Sequence, residues 1–397
     1  MKKALKESLT LTWKWFQNSG VMIPEDGKWG VAERVLLTGG NKTAEVTRRA
    51  FPAWTPLKGY DLIEQRRADC NLETAYLFLL LEKIFGNKLP AEKTAENILD
   101  FLFFRSGLLN RYGDKTTIGC WDWSHIRRVH QIYFDDNAWM CMLLLRIGRK
   151  YPRLNKKYDM IHWGMTLADI LADALPRYLA DKESKEPEFA WLGDVRMPHW
   201  GSLVCMALSE ACRKEKNEKY IAVIDQYEEY LLQKENKFST SEWAYAVLGS
   251  VCAYRIAKNK SSLKCVKFYA DKLLAVMAPE TGNIPSEHHE APVGTALADT
   301  IYTLNWAVLS LQAAADIDDR YRTAYRKILN LLLQIQDRSR PAHLHGCWRG
   351  MYDMESKTWG GGNCFEGGAD SIYTGWTNAP IGWACAFELL GTDITRG

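Results

Sequence analysis

The 397-residue sequence lacks most of the patterns that identify a protein class directly. It has no run of 18 apolar residues, so no transmembrane helix is expected. None of its ten cysteines forms a C-x-x-C pair, so neither a zinc ribbon nor a redox pair is indicated. Lysine and arginine exceed aspartate and glutamate by only 51 − 48 = 3, which gives no bulk charge for nucleic acid or a membrane surface. Walker, G-x-G-x-x-G and G-x-S-x-G motifs are missing, and no cofactor is expected.

The N-terminal residues contain lysines but not the apolar stretch of a secretory signal. Most cysteines lie in apolar helical stretches without the spacing of a disulfide framework, which is typical of a reducing compartment. We therefore expect a cytoplasmic protein. Two close histidine pairs, His343-x-His345 and His288-His289, come without other ligands, so no metal site is expected.

Aromatic residues, in contrast, are abundant, with 16 tryptophans, 18 tyrosines and 13 phenylalanines. Many tryptophans lie in polar, glycine-rich segments such as 119–123 and 358–361 rather than on helix faces. Sugar rings stack their C–H faces on indole while their hydroxyl groups bond to nearby carboxylates and amides. The composition therefore favours a carbohydrate as the binding partner.

Helical periodicity dominates the chain, and strand-like alternation is scarce. The pattern predicts twelve helices, near 3–18, 69–86, 91–105, 136–151, 158–180, 200–214, 217–233, 241–257, 262–278, 295–315, 319–337 and 378–390. The even-numbered helices are apolar almost all round, as helices buried on every side are, whereas the odd-numbered ones are amphipathic. This alternation predicts an all-α fold of two concentric rings, an (α/α)6 toroid that uses residues 1–397 as one domain. An open solenoid is the alternative, but the fixed repeat period of solenoids is not found here.

Charged, histidine and tryptophan residues gather just before the even-numbered helices, whose N-terminal ends would meet at one mouth of the toroid. The candidate site residues are Arg66, Arg67, Asp69, Asp135, Asp136, His199, Trp200, Glu242, His288, Glu290, Glu366 and Trp376. Helix capping is the alternative for the carboxylates, and Ser239-x-x-Glu242 matches a capping box. Capping explains the acidic residues but not the arginine, histidine and tryptophan residues beside them.

The adjacent pair Asp135-Asp136 is the most specific indication of a chemical reaction in the sequence. A glycosidase needs one carboxyl group to protonate the leaving oxygen and a second one to act as base or nucleophile. Neighbouring carboxylates also raise each other's proton affinity, which helps to keep one protonated near neutral pH. Adjacent side chains need not face the same way, so the second catalytic carboxylate can come from elsewhere; the candidates, in falling order, are Glu290, Glu287, Asp69, Asp194 and Glu366.

Two arginine pairs, Arg66-Arg67 and Arg127-Arg128, lie in the segments that lead into the second and fourth helices. Arginine binds carboxylates with two parallel hydrogen bonds, so these pairs suggest an acidic sugar such as a uronic acid. The alternative is that they form ion pairs with acidic residues of the chain, such as Glu64 and Asp69.

Three connections are longer than most loops: residues 19–60, 107–134 and 338–376. Loops of this length are usually functional or disordered, and these are rich in Trp, Gly, His and Asp. We expect them to cover the mouth of the toroid, which would enclose a pocket and favour exo action on a chain end.

The segment Asp135-Asp136-Asn137-Ala138-Trp139 follows an aromatic residue and opens an inner helix. It resembles the paired-aspartate motif of the bacterial endo-α-1,6-mannanases, and it is similar to the aspartate-bearing helix starts of the unsaturated uronyl hydrolases. Both resemblances point to the six-hairpin glycosidase superfamily; the architecture matches over nearly the whole chain and the motif over five residues. The resemblance implies that Asp135 and Asp136 are the catalytic pair. Met140 stands where the mannanase pattern has a second aromatic residue, which argues against mannan.

The sequence therefore predicts a glycoside hydrolase that needs no cofactor and acts on a glycan or oligosaccharide. No nucleic-acid or membrane partner is expected. A sugar epimerase or isomerase on the same toroid is one alternative, with His199, His288 and His289 as candidate bases. A polysaccharide lyase and a non-catalytic helical interaction protein are the others. The sugar, its linkage and the oligomeric state do not follow from the sequence.

Overall fold

The computed structural model describes residues 1–38, 48–49, 53–112, 116–126, 131–180, 191–234, 236–286, 296–361 and 368–396. Within these residues it contains thirteen α-helices, the twelve expected ones and the short α5. Their bounds are α1 Lys2–Asn18, α2 Ala68–Phe85, α3 Ala91–Asp100, α4 Phe134–Lys150, α5 Pro152–Tyr158, α6 Met160–Ala180, α7 Pro198–Lys214, α8 Glu218–Leu231, α9 Thr240–Ala257, α10 Lys260–Val276, α11 Leu304–Ala314, α12 Asp319–Ile335 and α13 Ala379–Leu390. None of these helices is both long enough and apolar enough to cross a bilayer.

Six helices form a closed inner ring. Helices α2, α4, α7, α9, α11 and α13 each pack against the next, and α13 packs back against α2. The inner helices are buried along most of their length, whereas α10 in the outer ring buries one face, from Ser262 to Leu273. The predicted (α/α)6 toroid is therefore confirmed, and the open solenoid is wrong because the ring closes.

Tryptophan side chains fill the interior of the ring. Trp139 of α4 stacks on Trp306 of α11, with ring centroids 5.1 Å apart, and lies 5.6 Å from Trp383 of α13. All three are fully buried. The interior is thus a packed core rather than a channel, so polar chemistry is confined to the two ends of the ring.

Short strands occupy parts of the long connections. Their bounds are β1 Arg34–Leu37, β2 Trp54–Leu57, β3 Tyr60–Ile63, β4 Ile132–Tyr133, β5 Trp191–Leu192, β6 Leu297–Asp299, β7 Met351–Asp353, β8 Thr358–Trp359 and β9 Ser371–Tyr373. One antiparallel sheet has the order β2-β3-β1-β9, so it joins the connection after α1 to the connection before α13. This sheet lies beside the N-terminal end of α2, because the backbone of Val31, just before β1, bonds to the side chain of Asn71 in the first turn of α2.

The helix predicted over 295–315 is shorter in the structure. Helix α11 begins at Leu304, and Leu297–Asp299 forms strand β6 against β7. The cause is the buried Asp299 carboxylate, which accepts hydrogen bonds from the backbone N–H groups of Ile301 and Tyr302. A side chain that satisfies the backbone locally competes with helix formation, and the apolar spacing did not reveal it.

Candidate active site

The N-terminal ends of the inner helices meet at one end of the ring, which we call the mouth. Side chains from four inner helices and from the segment before α13 contact one another there. The mouth residues are Arg67, Asp69, Asp135, Asp136, His199, Glu242 and Trp376. The structure therefore brings together most of the residues that the sequence singled out, although their role in catalysis remains a prediction.

Arg67, the residue that precedes α2, connects three carboxylates. Its Nη2 lies 2.6 Å from Asp136 Oδ1 and 2.7 Å from Asp69 Oδ2, and its Nη1 lies 3.3 Å from Glu33 Oε1. Nε completes a two-bond contact with Asp69 at 3.1 Å. A buried guanidinium with these partners fixes Asp136 at the start of α4 against the start of α2.

Acidic groups outnumber the arginines around this contact. Arg67 and Arg34 face the carboxyl groups of Glu33, Asp69, Asp136 and Glu73, all of them buried. Burial, with the Asp69 charge next to it, raises the pKa of Glu73 well above its usual value. Burial also raises the pKa of Asp136 well above its usual value, and the neighbouring Asp69 and Asp135 carboxylates add to the effect although Arg67 opposes it. Burial and the neighbouring negative charges therefore favour the protonated forms of Glu73 and Asp136.

The two carboxyl oxygens of Asp136 have different surroundings. Oδ1 of Asp136 accepts the bond from Arg67, whereas its buried Oδ2 has no hydrogen-bond partner among the described residues. Asp69 raises the pKa of Asp136 both by its charge and by a side-chain hydrogen bond with the Asp136 carboxyl group. A carboxyl group with a raised pKa is suited to act as a general acid.

Asp135 faces a different partner from its neighbour. Asp135 Oδ2 lies 3.1 Å from Nε2 of His199, the second residue of α7. Burial lowers the pKa of His199, but the hydrogen bond that its ring donates to Asp135 and the charges of Asp135 and Glu242 raise it above its ordinary value. Glu242 at the start of α9 accepts the backbone N–H of His199 at 2.6 Å. The imidazole is sandwiched between Trp200 and Tyr245, at centroid distances of 4.3 and 4.9 Å.

Trp376 is held in a strained segment, Thr374–Asn378, which we call the strap. The φ of Trp376 is +25°, which is rare for a residue with a side chain. Three hydrogen bonds hold it: its indole N–H donates to Asp69 at 2.7 Å, its backbone N–H donates to Glu73 at 2.9 Å, and its carbonyl accepts from Asn305. Gly375 has no space for a side chain, because a Cβ would lie 2.5 Å from Glu73 Oε2.

The strap presents an aromatic face to the mouth. The Trp376 indole lies edge-on to the His199 ring at 5.4 Å, and the Arg67 guanidinium lies over it at 5.4 Å. The indole is buried, with 5% of the residue exposed, so it forms part of the packed wall of the mouth.

Helix capping does not account for the carboxylates of the mouth. The residues that precede α2, α4 and α9 make no side-chain capping hydrogen bond. The capping box Ser239-x-x-Glu242 is wrong, because Glu242 bonds to the backbone of His199 and Ser239 Oγ lies 3.0 Å from Ser241 Oγ. These acidic groups are used for contacts between helices.

Some predicted residues lie apart from the mouth or outside the described residues. Arg66 pairs with Glu64 and donates to the Trp29 carbonyl at 2.8 Å, so it faces a loop. Asp194 pairs with Arg196 and does not join the cluster. Outside the described residues lie Arg127, Arg128, Glu287, His288, His289, Glu290 and Glu366.

The sequence analysis missed Glu73, Tyr245 and Glu33. Glu73 was detectable, since it lies one turn after Asp69 and is a carboxylate within an otherwise apolar helix. Tyr245 likewise lies one turn after Glu242. Glu33 belongs to a loop, and no local pattern places a loop residue next to Arg67. Among the residues with described positions, no group of three or more potential metal ligands occurs.

Comparisons with known proteins support the fold but do not identify the activity. No family model and no curated protein matches the chain. Solved structures do match, among them a D-mannose isomerase with a TM-score of 0.58, 11% identity and 98% of each chain covered. An unsaturated glucuronyl hydrolase specific for heparin has a TM-score of 0.59 and 10% identity, with 99% of this chain and 100% of the other covered.

A GH76 α-mannanase from Bacteroides thetaiotaomicron has a TM-score of 0.55 and 9% identity, with 88% of this chain and 95% of that chain covered. These neighbours are toroid enzymes that act on carbohydrates, and they include both hydrolases and isomerising enzymes. The chain therefore has the fold of the six-hairpin enzymes, as the sequence predicted. Identities this low do not transfer a specific reaction.

Proposed function

We propose that this protein is a glycoside hydrolase in which Asp136 is the general acid. The observation that carries the proposal is the buried Asp136 carboxyl group, with a raised pKa, one oxygen held by Arg67 and the other without a partner among the described residues. In the proposed reaction Asp136 Oδ2 gives its proton to the glycosidic oxygen as the bond to the anomeric carbon breaks. Water adds to that carbon and loses a proton.

Asp135 is the proposed acceptor of the proton from water. Its Oδ2 is held by His199, and its buried Oδ1 has no partner within the part of the chain that is described. The two adjacent aspartates thus have different partners, Arg67 for the acid and His199 for the base. Different environments for two carboxyl groups are the arrangement that separates acid and base roles. Glu290, the other candidate for the second carboxylate, stays a prediction.

The proposed substrate is an oligosaccharide with an uncharged sugar at the mouth. Arg66 and Arg67 already pair with carboxylates of the chain, so neither supports recognition of a uronic acid. Exo action fits an enclosed site, since His199, with its side chain 13% exposed, is the most accessible of the ionisable groups at the mouth. Among the described residues both Arg66 and Arg67 are paired with carboxylates, so a polysaccharide lyase has less support.

A sugar epimerase or isomerase is the second candidate, because His199 has the environment of an acid–base group. It contacts Asp135 and lies beside Glu242, and it is stacked between two aromatic rings. In that reaction His199 would remove a proton from a carbon next to a carbonyl group. The aspartate pair would then bind substrate rather than cleave a bond.

Product analysis in labelled water separates the two candidates. The wild-type protein is incubated with a panel of neutral and uronic-acid-terminated oligosaccharides in water enriched in ¹⁸O and ²H. A hydrolase shortens the chain and places one ¹⁸O at the new reducing end. An epimerase leaves the length unchanged and exchanges carbon-bound hydrogen for deuterium, an outcome that would overturn the hydrolase proposal.

A further inference from the structure

The end of the ring opposite the mouth, which we call the back, has more cations than carboxylates. Three guanidinium groups from the last turns of α4 and α7 surround Glu210. Nη2 of Arg146 lies 3.0 Å and Nε of Arg213 lies 3.6 Å from Glu210 Oε2, and Arg149 bonds to Oε1. Glu210 is buried, and the arginine charges hold its pKa below the usual value although burial raises it. Two positive charges are therefore in excess.

The helix ends compensate for only part of this excess. The C-terminal end of a helix is equivalent to about half a negative charge, so α4 and α7 together supply about one. Lys150 adds another cation at the same end, and its ammonium donates to the carbonyl oxygen of Arg396 at 3.3 Å. Positive charge thus accumulates at the back beyond what the helix ends need.

A cleft lies beside these arginines. It has a volume of about 420 Å³, and four of its lining residues are cations, while none is acidic: Arg149, Lys156, Arg213 and Lys214. Arg149 Nε is buried and has no hydrogen-bond partner among the described residues. A buried donor without an acceptor is costly, and an anion in the cleft would supply an acceptor for Arg149 Nε.

We propose that the back cleft binds a tetrahedral oxyanion, a phosphate or sulfate group, either free or attached to a sugar. Such a group has several acceptor oxygens in the geometry that guanidinium groups recognise. Its charge would balance the excess around Glu210. The cleft is larger than one inorganic anion, so there is space for the molecule that carries it. The proposal does not depend on the catalytic assignment, because the cleft lies at the other end of the ring.

The test measures binding and thermal unfolding of the full chain with inorganic phosphate, inorganic sulfate and glucose 6-phosphate. Sodium chloride at matched ionic strength corrects for general screening. A ligand that binds only the folded protein raises the melting temperature according to its concentration and Kd. We expect a rise with at least one oxyanion beyond that with chloride; no rise with any of the three would overturn the proposal.

Two double variants locate the site. Lys156→Gln with Lys214→Gln removes two exposed cations from the cleft, and Lys6→Gln with Lys264→Gln removes two exposed cations elsewhere. All four positions are on the surface, so folding should be retained. We expect the Kd measured by calorimetry to weaken at least about tenfold in the cleft variant and to stay within about twofold in the control.

Equal weakening in both double variants would mean general electrostatic attraction and would overturn the proposal. Tighter binding of the sugar phosphate than of inorganic phosphate would assign a phosphorylated sugar as the source. Equal affinities for the two would assign the inorganic anion.

Discussion

The mouth and the back of the ring are opposite ends of the same inner helices, and they carry opposite excesses of charge. At the mouth, four carboxyl groups face Arg34 and Arg67; at the back, three guanidinium groups face Glu210. Carboxylates at helix N-terminal ends and cations at helix C-terminal ends are what the helix dipole favours. At both ends of the ring, however, the number of charged groups exceeds the partial charge of the helix ends. The excess at the mouth raises carboxyl pKa values and gives a proton donor, whereas the excess at the back keeps Glu210 ionised and leaves room for an anion.

The largest expected effect is the loss of stability when the central arginine is removed from either end of the ring. We expect this loss to be larger at the mouth than at the back. Arg67→Met leaves Asp69, Asp136 and Glu33 without their shared cation, so we expect a loss of about 3–5 kcal/mol in unfolding free energy at neutral pH. Arg146→Met should cost less, because Glu210 keeps Arg149 and Arg213. Chemical denaturation of the two variants measures the difference.

The Arg67→Met variant should also regain stability as the pH is lowered, because protonation of the carboxylates removes their repulsion. Arg146→Met, which removes positive charge from a cationic cluster, should show no such recovery. Equal losses at both ends, with the same pH dependence, would contradict the proposed excess of carboxylates at the mouth.

The next effect is on catalysis and is confined to the mouth. Asp136→Asn preserves the side-chain shape but removes the proton that Oδ2 would donate, so turnover should fall at least about 100-fold. Asp135→Asn should lower turnover similarly through loss of the base. Unfolding free energies measured beside the rates separate this loss from damage to the fold.

Asp194→Asn is a matched control, because Asp194 stands near the start of α7 but pairs with Arg196 and has a half-exposed side chain. Its turnover should stay within about twofold of the wild type. Full activity in both the Asp135 and Asp136 variants would move the chemistry to His199 and favour the epimerase or isomerase.

Much of the fold could be predicted from the sequence, because a helix that is buried on all sides has apolar residues on all its faces. The inner helix α9 is apolar nearly all round and the outer helix α10 on one face, and that contrast alone predicts two rings. The same reasoning placed polar residues such as Asp69 and Asp136 at one end, since the helix starts of an inner ring must converge. It failed for residues 296–303, where Asp299 bonds locally to the backbone.

The site could be predicted only in part, because its pairings are long-range. The sequence gives no sign that Arg67 bonds to Asp136 rather than only to nearby Asp69, or that Glu33 reaches the cluster through a small sheet. It therefore left Arg67 available for a substrate carboxylate, whereas the structure neutralises it within the chain. Spacing along a helix predicts which residues share an end, not which of them pair.

The pH dependence of stability tests whether Glu73, at the mouth, is protonated in the folded protein. Glu73 is buried and its pKa is raised, so it is protonated in the folded protein at a pH where the unfolded chain is already ionised. Its contribution to stability is present below its unfolded pKa of about 4.3 and is lost as the pH rises toward the folded value. Glu73→Gln mimics the protonated form and can still accept the Trp376 N–H, so its stability should fall less steeply with pH.

We expect the wild type and Glu73→Gln to diverge by roughly 1–2 kcal/mol between about pH 5 and pH 8. Denaturation midpoints over that range test this, and tryptophan fluorescence reports whether the strap keeps its conformation. Glu82→Gln, at a partly exposed position of the same helix, is the control and should follow the wild type. Parallel curves for wild type and Glu73→Gln would mean that Glu73 is ionised in the folded protein.

The smallest effect is expected at the back, and it has the opposite sign. Partial burial, with the charges of Lys83 and Arg146, lowers the pKa of Lys150 to about 8. Below that pH the folded protein keeps a charge that its surroundings disfavour; between about 8 and the unfolded value of about 10.4, the folded state loses the proton first, so stability increases with pH. Lys150→Met should therefore stabilise the protein at neutral pH, by less than about 1 kcal/mol because the residue is only partly buried. The gain should shrink as the pH approaches 10 and also when phosphate or sulfate is added, since an anion in the back cleft offsets the same repulsion.

A gain at neutral pH that phosphate leaves unchanged would separate Lys150 from the proposed anion site, and a loss of stability would contradict an excess of positive charge at the back.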